Sequence, residues 1–140
     1  MPASLDDRLA LQELAYRYAR AVDRREYAAF AALFTADGVL CGPGYEMKGR
    51  AEIARGIALI EQYASTQHCV HNQLVEVRGD AASGETYCVA RHVYERAGVP
   101  RKLDMGVRYQ DEYRRESTGW RIARRELVLD WTQDLPLKAD

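Results

Sequence analysis

The sequence has few cysteines, no long apolar run and no surplus of positive charge, and each lack excludes a class of protein. Its 140 residues carry a net charge of −1 and no basic stripe, which argues against nucleic-acid binding. No apolar run approaches the length of a membrane span, and the N-terminal residues do not resemble a signal peptide. The three cysteines, Cys41, Cys69 and Cys88, have no disulfide-framework spacing. We therefore expect reduced thiols in a cytoplasmic protein that binds neither nucleic acid nor membrane.

Motifs for nucleotide binding and nucleophilic catalysis are also missing. The segment GPGYEMKG, residues 42–49, has neither the Rossmann nor the P-loop glycine spacing, and we interpret it as a turn before a helix. No G-x-S-x-G elbow occurs. The sequence therefore predicts no bound cofactor.

The sequence does contain three helical segments followed by a meander of long strands. Apolar residues recur at helical spacing over residues 5–22, D-x-x-E at residues 23–26 resembles a capping box before a second helix, and a third helix follows Gly49. After residue 67 the pattern alternates, with later strands at 85–95, 103–115 and 120–131. This order predicts an α+β fold in which a curved antiparallel sheet covers the three helices and encloses an apolar cone. Residues 1–131 form one domain, and we expect a mobile polar tail over 132–140.

The segment TQHCVHNQ, residues 66–73, holds two of the three histidines. His68 and His71 are three positions apart, which in a strand places them on opposite faces and disfavours a metal site. Acid–base chemistry is the alternative, since histidine exchanges protons near neutral pH and a carboxylate such as Asp23 would fix its tautomer. Asp23 has a second interpretation as the cap of the second helix, and a histidine at a strand start is often structural.

Alternation along the strands favours His71 over His68 as the inward-facing histidine, because His71 has the same parity as Gln73, Val75 and Val77. His68 precedes the alternation, which leaves its direction undetermined. His92 has the same parity as Cys88, Ala90 and Tyr94, and it too is a candidate for the interior. Arg125 lies in the last strand among apolar residues and should be paired, with Asp111 or Glu126 as candidates.

Three segments resemble the SnoaL-like domain of the nuclear transport factor 2-like superfamily. They are LALQELAYRYARAVDRREYAAFAALFTADGVL, HCVHNQLVEVRGDAASGETYCVARHVY and YQDEYRRESTGWRIARRELVLDW, in that order, and they span nearly the whole chain. The resemblance implies a cone-shaped α+β barrel with a curved, antiparallel or mixed sheet. The family includes bile-acid dehydratase, scytalone dehydratase and hexachlorocyclohexane dehydrochlorinase, together with isomerases, cyclases and binding modules.

The resemblance also implies roles for individual residues. YARAVD places Tyr18 and Asp23 on the catalytic tyrosine and aspartate of the bile-acid dehydratase, and HCVHN makes His68 the catalytic histidine. His71 then becomes a residue of the pocket wall, and His92 resembles a second histidine of scytalone dehydratase. The bile-acid dehydratase has a further acidic residue where Ala90 stands here, which argues against the same substrate.

Together these observations lead us to expect a cofactor-independent enzyme, a dehydratase-like lyase, that eliminates a group from a small hydrophobic, cyclic substrate through His68, Asp23 and Tyr18. The alternatives are an isomerase or cyclase resembling ketosteroid isomerase or polyketide cyclase, and a non-enzymatic ligand-binding or assembly module. The superfamily commonly self-associates, so a homodimer or homotrimer is expected. The residues expected to line the substrate site are His71, His92, Tyr94, Tyr109 and Trp131.

Overall fold

The computed structural model describes residues 3–138 of the chain. Three helices come first: α1 (Leu5–Asp23), α2 (Tyr27–Ala32) and α3 (Gly49–Ile57), the last followed by a 3₁₀ helix (Ala58–Gln62). Ser4 caps α1, because its hydroxyl accepts the Asp7 amide at 3.0 Å. Within residues 3–138, no helix is long and apolar enough to cross a membrane.

Six strands form one sheet, in the spatial order β2-β1-β6-β5-β4-β3. The pairing of β1 with β6 is parallel and every other pairing is antiparallel, so the sheet is mixed. The α+β prediction is confirmed, with a curved sheet that stays open between its edge strands β2 and β3. The strand bounds are β1 (Phe34–Gly42), β2 (Tyr45–Lys48), β3 (Ser65–Arg78), β4 (Ala81–Arg96), β5 (Val99–Glu116) and β6 (Gly119–Pro136).

The helices pack on one face of this sheet and enclose the core. Leu11, Phe30, Phe34, Ile53 and Ile122 are completely buried there, and Leu11 belongs to the apolar stripe predicted for α1. A buried ion pair adjoins the apolar core. Arg125 Nε and Nη2 each lie 2.8 Å from a carboxylate oxygen of Asp111, so Asp111 rather than Glu126 is the partner of Arg125.

Strand β3 contains a β-bulge that divides it into two halves. Val70 pairs with Cys88 and Gln73 pairs with Thr86, which leaves His71 and Asn72 together opposite Tyr87. A bulge adds one residue to one strand and reverses the parity of the faces beyond it. Even-numbered residues before the bulge, including His68, therefore lie on the same face as odd-numbered residues after it, including Val75.

Three sequence-based boundaries differ from the structure. The segment GPGYEMKG is a turn followed by β2, a four-residue strand paired with β1, because Gly42 to Gly44 reverse the chain. The prediction of a capping box at residues 23–26 is wrong. Asp23 is the last residue of α1, and α2 begins after Glu26, whose side chain makes no capping hydrogen bond. Strand β6 runs to Pro136, past the boundary predicted at 131, because residues 132–136 pair with β5; residues 139 and 140 lie outside the described part of the chain.

Candidate functional site

Asp23 at the end of α1 meets the first half of β3. Its carboxylate accepts three hydrogen bonds: from the Thr66 hydroxyl at 2.9 Å, from the His68 backbone amide at 2.9 Å, and from His68 Nδ1 at 2.7 Å. The side chains are 23% exposed for Asp23 and 9% exposed for His68, so the pair is largely enclosed and still reachable from solvent. The three bonds explain why Asp23 is not used as a cap for α2.

Burial and hydrogen bonding act on the Asp23 carboxyl in opposite directions. Burial alone would raise its pKa, because a charged group loses hydration. The hydrogen bonds from the His68 ring and backbone, the charge of His68 and the Thr66 hydroxyl outweigh burial, and together they lower the pKa of Asp23. Asp23 is therefore an anion at neutral pH.

An anionic partner determines which nitrogen of the His68 ring carries the proton. A carboxylate can only accept a hydrogen bond, so Nδ1 of His68 carries a proton and donates a hydrogen bond to Asp23 Oδ1. In the neutral ring the lone pair is then on Nε2. This is the arrangement in which a histidine can take a proton from another group.

His92 lies beside His68 on the inner face of β4. The two rings are 6.0 Å apart and nearly perpendicular, and His92 Nδ1 lies 3.1 Å from the Leu103 carbonyl oxygen, to which it donates. Burial lowers the pKa of His92, although the bond to Leu103 opposes this effect. The neutral form of His92 is favoured, so the ring presents an unprotonated Nε2.

Two tyrosines form an aromatic cluster with His92. The Tyr63 ring packs at 4.6 Å from the His92 ring and at 6.3 Å from the Tyr94 ring. The Tyr94 hydroxyl donates to Asp134, which also accepts a 2.8 Å bond from Arg101 Nε. Tyr63 follows the 3₁₀ helix, and sequence reasoning missed it because an isolated aromatic residue near a helix end has no distinguishing pattern.

Tyr18 lies deeper in the core than Asp23. Its ring packs 4.5 Å from Phe30 and 5.4 Å from Tyr109, and the Arg125 guanidinium contacts both tyrosine rings, 4.3 Å from the centre of Tyr18 and 4.1 Å from that of Tyr109. Burial raises the pKa of Tyr18 to about 12, so its hydroxyl stays protonated. In the described residues no hydrogen bond joins Tyr18 to Asp23 or His68. The structure therefore brings the predicted residues together in two groups: Asp23 is bonded to His68, which lies beside His92, and Tyr18 packs against Tyr109.

Two of the residues predicted to line the substrate site lie elsewhere. His71 is exposed, because the bulge between Val70 and Gln73 breaks the parity on which its inward orientation was based. Trp131 is 48% exposed and its ring lies over Gly106, where an added Cβ would come within 2.1 Å of it. Gly106 pairs with Val89, whose parity is opposite to that of the buried Cys88 and Ala90, so Trp131 lies on the outer face of the sheet.

The surroundings of His68 on the sheet are small and apolar. Its cross-strand neighbour is Ala90, which is buried, and the next neighbour across the sheet is Met105. The position that carries an acidic residue in the bile-acid dehydratase, according to the resemblance, thus adjoins the histidine and holds a methyl group here. Within residues 3–138, no three His, Cys, Asp or Glu side chains are grouped as a metal site requires.

A separate cleft of about 910 Å³ opens on the helical side of the molecule. It is lined by α1, α2 and the turn between β5 and β6, including Arg17, Ala29 and Trp120. Asp23 and His68 do not line this cleft. The side chains suited to acid–base chemistry therefore lie outside this cleft, where the hydrogen bonds of Asp23 join residues far apart in the sequence.

Known proteins resemble this chain in sequence and in fold. An uncharacterized protein of Mycobacterium tuberculosis, Rv2910c, is 30% identical over 132 residues, covering 88% of this chain and 85% of that protein. A candidate scytalone dehydratase from Novosphingobium aromaticivorans superposes with a TM-score of 0.83 at 22% identity, covering 96% of this chain and 91% of its own. A hexachlorocyclohexane dehydrochlorinase from Novosphingobium barchaimii superposes with a TM-score of 0.83 at 19% identity, covering 95% and 91%.

The two structural matches are below 25% identity and show a shared fold. The family itself is established by sequence. A family model described as the SnoaL-like domain matches residues 3–126, which is most of the chain. The chain therefore belongs to the SnoaL-like domain family.

Proposed function

We propose that the protein is a cofactor-independent lyase that eliminates a leaving group from a small hydrophobic, cyclic carbonyl compound, with His68 as the base. The observation that carries the proposal is the 2.7 Å contact between His68 Nδ1 and Asp23 Oδ1. It leaves Nε2 of a mostly enclosed histidine free to take a proton, while the carboxylate stabilises the imidazolium that forms.

The reaction begins at the carbon next to the substrate carbonyl. Nε2 of His68 removes a proton from this carbon, and the electron pair of the C–H bond forms an enolate. The enolate then forms a C=C bond as the group on the neighbouring carbon departs with its bonding electrons. A departing hydroxide takes the proton back from His68, so water and a conjugated carbonyl compound are the products and the histidine is neutral again.

The developing negative charge requires a donor, and Tyr18 is the residue we assign to this role. Its hydroxyl stays protonated, since burial raises its pKa to about 12, so it can donate a hydrogen bond to an oxygen on which negative charge develops. A positioned base contributes roughly 10²–10⁴-fold, so donors and the exclusion of water must supply the remaining acceleration.

The lining of the site favours a neutral, hydrophobic substrate. Ala90, Met105 and Leu103 lie next to His68 and His92 in the strand register, and Tyr63 presents an aromatic ring against His92. The proteins with the same fold include a candidate scytalone dehydratase and a hexachlorocyclohexane dehydrochlorinase, whose names both denote elimination enzymes. These names support the reaction class by analogy of fold.

The test is incubation of the protein with a panel of hydrophobic cyclic β-hydroxy ketones in D₂O, followed by proton NMR. We expect vinylic signals of the conjugated ketone with the wild type and a rate roughly 10²–10⁴-fold lower with His68→Gln. Far-ultraviolet circular dichroism of the variant establishes that its fold is retained.

Other results of this assay support the alternatives. Deuterium exchange next to the carbonyl, without vinylic signals and dependent on His68, indicates an isomerase or cyclase that begins with the same proton abstraction. Binding without exchange, equal in the wild type and His68→Gln, indicates a ligand-binding module and overturns the proposal. A rate unaffected by the substitution of His68 would also overturn it.

A further inference from the structure

The turn between α1 and α2 contains a residue in an uncommon backbone conformation. Arg25, two residues after Asp23, has φ of 59°, in the left-handed region that glycine adopts more readily than arginine. Its amide donates to the Val22 carbonyl at 3.1 Å, and the next amide, of Glu26, donates to the Ala21 carbonyl at 2.9 Å. The chain thus reverses sharply at the end of α1, and an arginine occupies the strained position.

The side chain of Arg25 reaches the segment that leads into β3. Nη2 of Arg25 lies 2.5 Å from the Tyr63 carbonyl oxygen and 3.3 Å from that of Ala64. The amide of Ala64 in turn donates to the Val93 carbonyl at 2.8 Å, which fixes this segment to β4. The guanidinium therefore joins the end of α1 to the start of β3.

These two ends carry the proposed acid–base pair. Asp23 precedes Arg25 by two residues, and Thr66 and His68 follow Ala64 by two and four residues. The only other direct bonds described between this end of α1 and the start of β3 are those that the Asp23 carboxylate accepts. The separation of Asp23 from His68 consequently depends on how firmly Arg25 holds the two backbones together.

We infer that Arg25 is a positioning residue, which holds the start of β3 against α1 and thereby keeps His68 in hydrogen-bonding distance of Asp23. That Arg25 holds the start of β3 against α1 is independent of the proposed function. The effect of Arg25 on turnover rests on the proposed function. Charge alone does not account for the position, because the neighbouring Arg24 has the same charge and makes no side-chain hydrogen bond within residues 3–138.

The experiment compares Arg25→Ala, Arg25→Gly and Arg25→Lys with Arg24→Ala as the matched control. The primary readout is hydrogen exchange of the His68 backbone amide, which donates to Asp23, measured by NMR relative to the amides of β5. We expect about tenfold faster exchange in Arg25→Ala and Arg25→Gly, because a bond from a charged donor is lost, and wild-type exchange in Arg24→Ala. Arg25→Lys restores a cationic donor and should recover part of the protection.

The glycine variant distinguishes the effect of the side chain from the effect of the backbone conformation, since glycine adopts the same φ without strain but lacks the guanidinium. Equal acceleration in the alanine and glycine variants supports the inference. Wild-type exchange at His68 in either variant overturns it, as does a uniform acceleration that includes the amides of β5, which would indicate general stabilisation of the fold.

Activity distinguishes this inference from the proposed function. With an active wild type, Arg25→Ala should lower kcat about tenfold and change KM little, because the geometry of the base changes more than the binding surface. An unchanged kcat despite faster exchange overturns the catalytic part of the inference. If the wild type eliminates no substrate and the His68 exchange still depends on Arg25, the proposed function fails and the structural role of Arg25 stands.

Discussion

The ring and the backbone of His68 both bind one carboxylate: Asp23 accepts His68 Nδ1 at 2.7 Å through one oxygen and the His68 amide at 2.9 Å through the other. A second bond to the backbone fixes the strand that carries the ring, and not the ring alone. This double contact gives Asp23 a role at the site that its sequence position at a helix end would not suggest.

Replacement of Asp23 by Asn should abolish most activity and preserve the fold. The two His68 bonds go to different oxygens of Asp23, and an amide has an NH₂ donor in place of one of them. One bond is therefore lost, and the tautomer with a free Nε2 is no longer enforced. We expect kcat/KM to fall by about 10²–10⁴-fold. The control is Asp37→Asn, at an exposed carboxylate outside the site, which should retain activity. Retained activity in Asp23→Asn, with or without a loss of stability, would contradict the prediction.

The two histidines of β3 should differ sharply in their effect on activity. His68→Gln removes the proposed base, whereas His71→Gln changes an exposed side chain at the bulge. We expect a severe loss of turnover for the first variant and a wild-type kcat/KM for the second, in the same elimination assay. Comparable losses in both variants would mean that His71 also contacts the substrate and would contradict this prediction.

Stability should decrease as the pH falls below neutrality because of His92. Burial lowers the pKa of His92 in the folded state, whereas the unfolded chain has a histidine pKa of about 6.5. In the pH range between these two values the unfolded chain binds more protons, so the free energy of unfolding falls as the pH decreases below about 6.5. Urea unfolding between pH 8 and 5 should show this fall in the wild type and a smaller one in His92→Gln. Equal falls in both proteins would contradict the prediction.

The lowered pKa of Asp23 acts at more acidic pH and does not interfere with that measurement. Its stabilising contribution is complete above the unfolded pKa of about 3.9 and is lost as the pH falls through the lower folded value.

Substitution in the buried ion pair of Arg125 and Asp111 should lower the free energy of unfolding far more than substitution in an exposed ion pair. Both side chains are at most 1% exposed, so Arg125→Met leaves a buried carboxylate without its partner and should cost about 3–5 kcal/mol of unfolding free energy. The double variant Arg125→Met/Asp111→Leu should lose less than the sum of the two single losses. Urea unfolding measures all three variants. Arg78→Met, at an exposed pair with Glu76, should leave the midpoint nearly unchanged.

The architecture could be predicted because long strands and amphipathic helices repeat their apolar residues at fixed periods. The meander from β3 to β6 and the buried stripe of α1 follow from these periods. The bulge in β3 could not be found in this way. No residue type in the sequence marks the extra position, and only the pairing of Val70 with Cys88 and of Gln73 with Thr86 reveals it.

The approach of Asp23 to His68 was beyond local sequence reasoning, since the two residues are 45 positions apart. The D-x-x-E pattern after α1 favoured a capping role for Asp23, and the competing partner in β3 could be indicated only by family resemblance. The same resemblance placed Tyr18 near Asp23, whereas the structure packs Tyr18 against Arg125 and Tyr109. The catalytic roles of all three residues stay predictions.

The bulge at His71 and Asn72 also affects how relatives of this chain should be aligned. A relative that lacks one of these two residues would have a regular strand. In that strand the residues that match His68 and Val75 would still share one face, but they would be one position closer in sequence. A gap of one residue placed before His68 would therefore match His68 to the wrong column. Comparisons of histidines across the family should be anchored on the hydrogen bond to the aspartate at the end of α1.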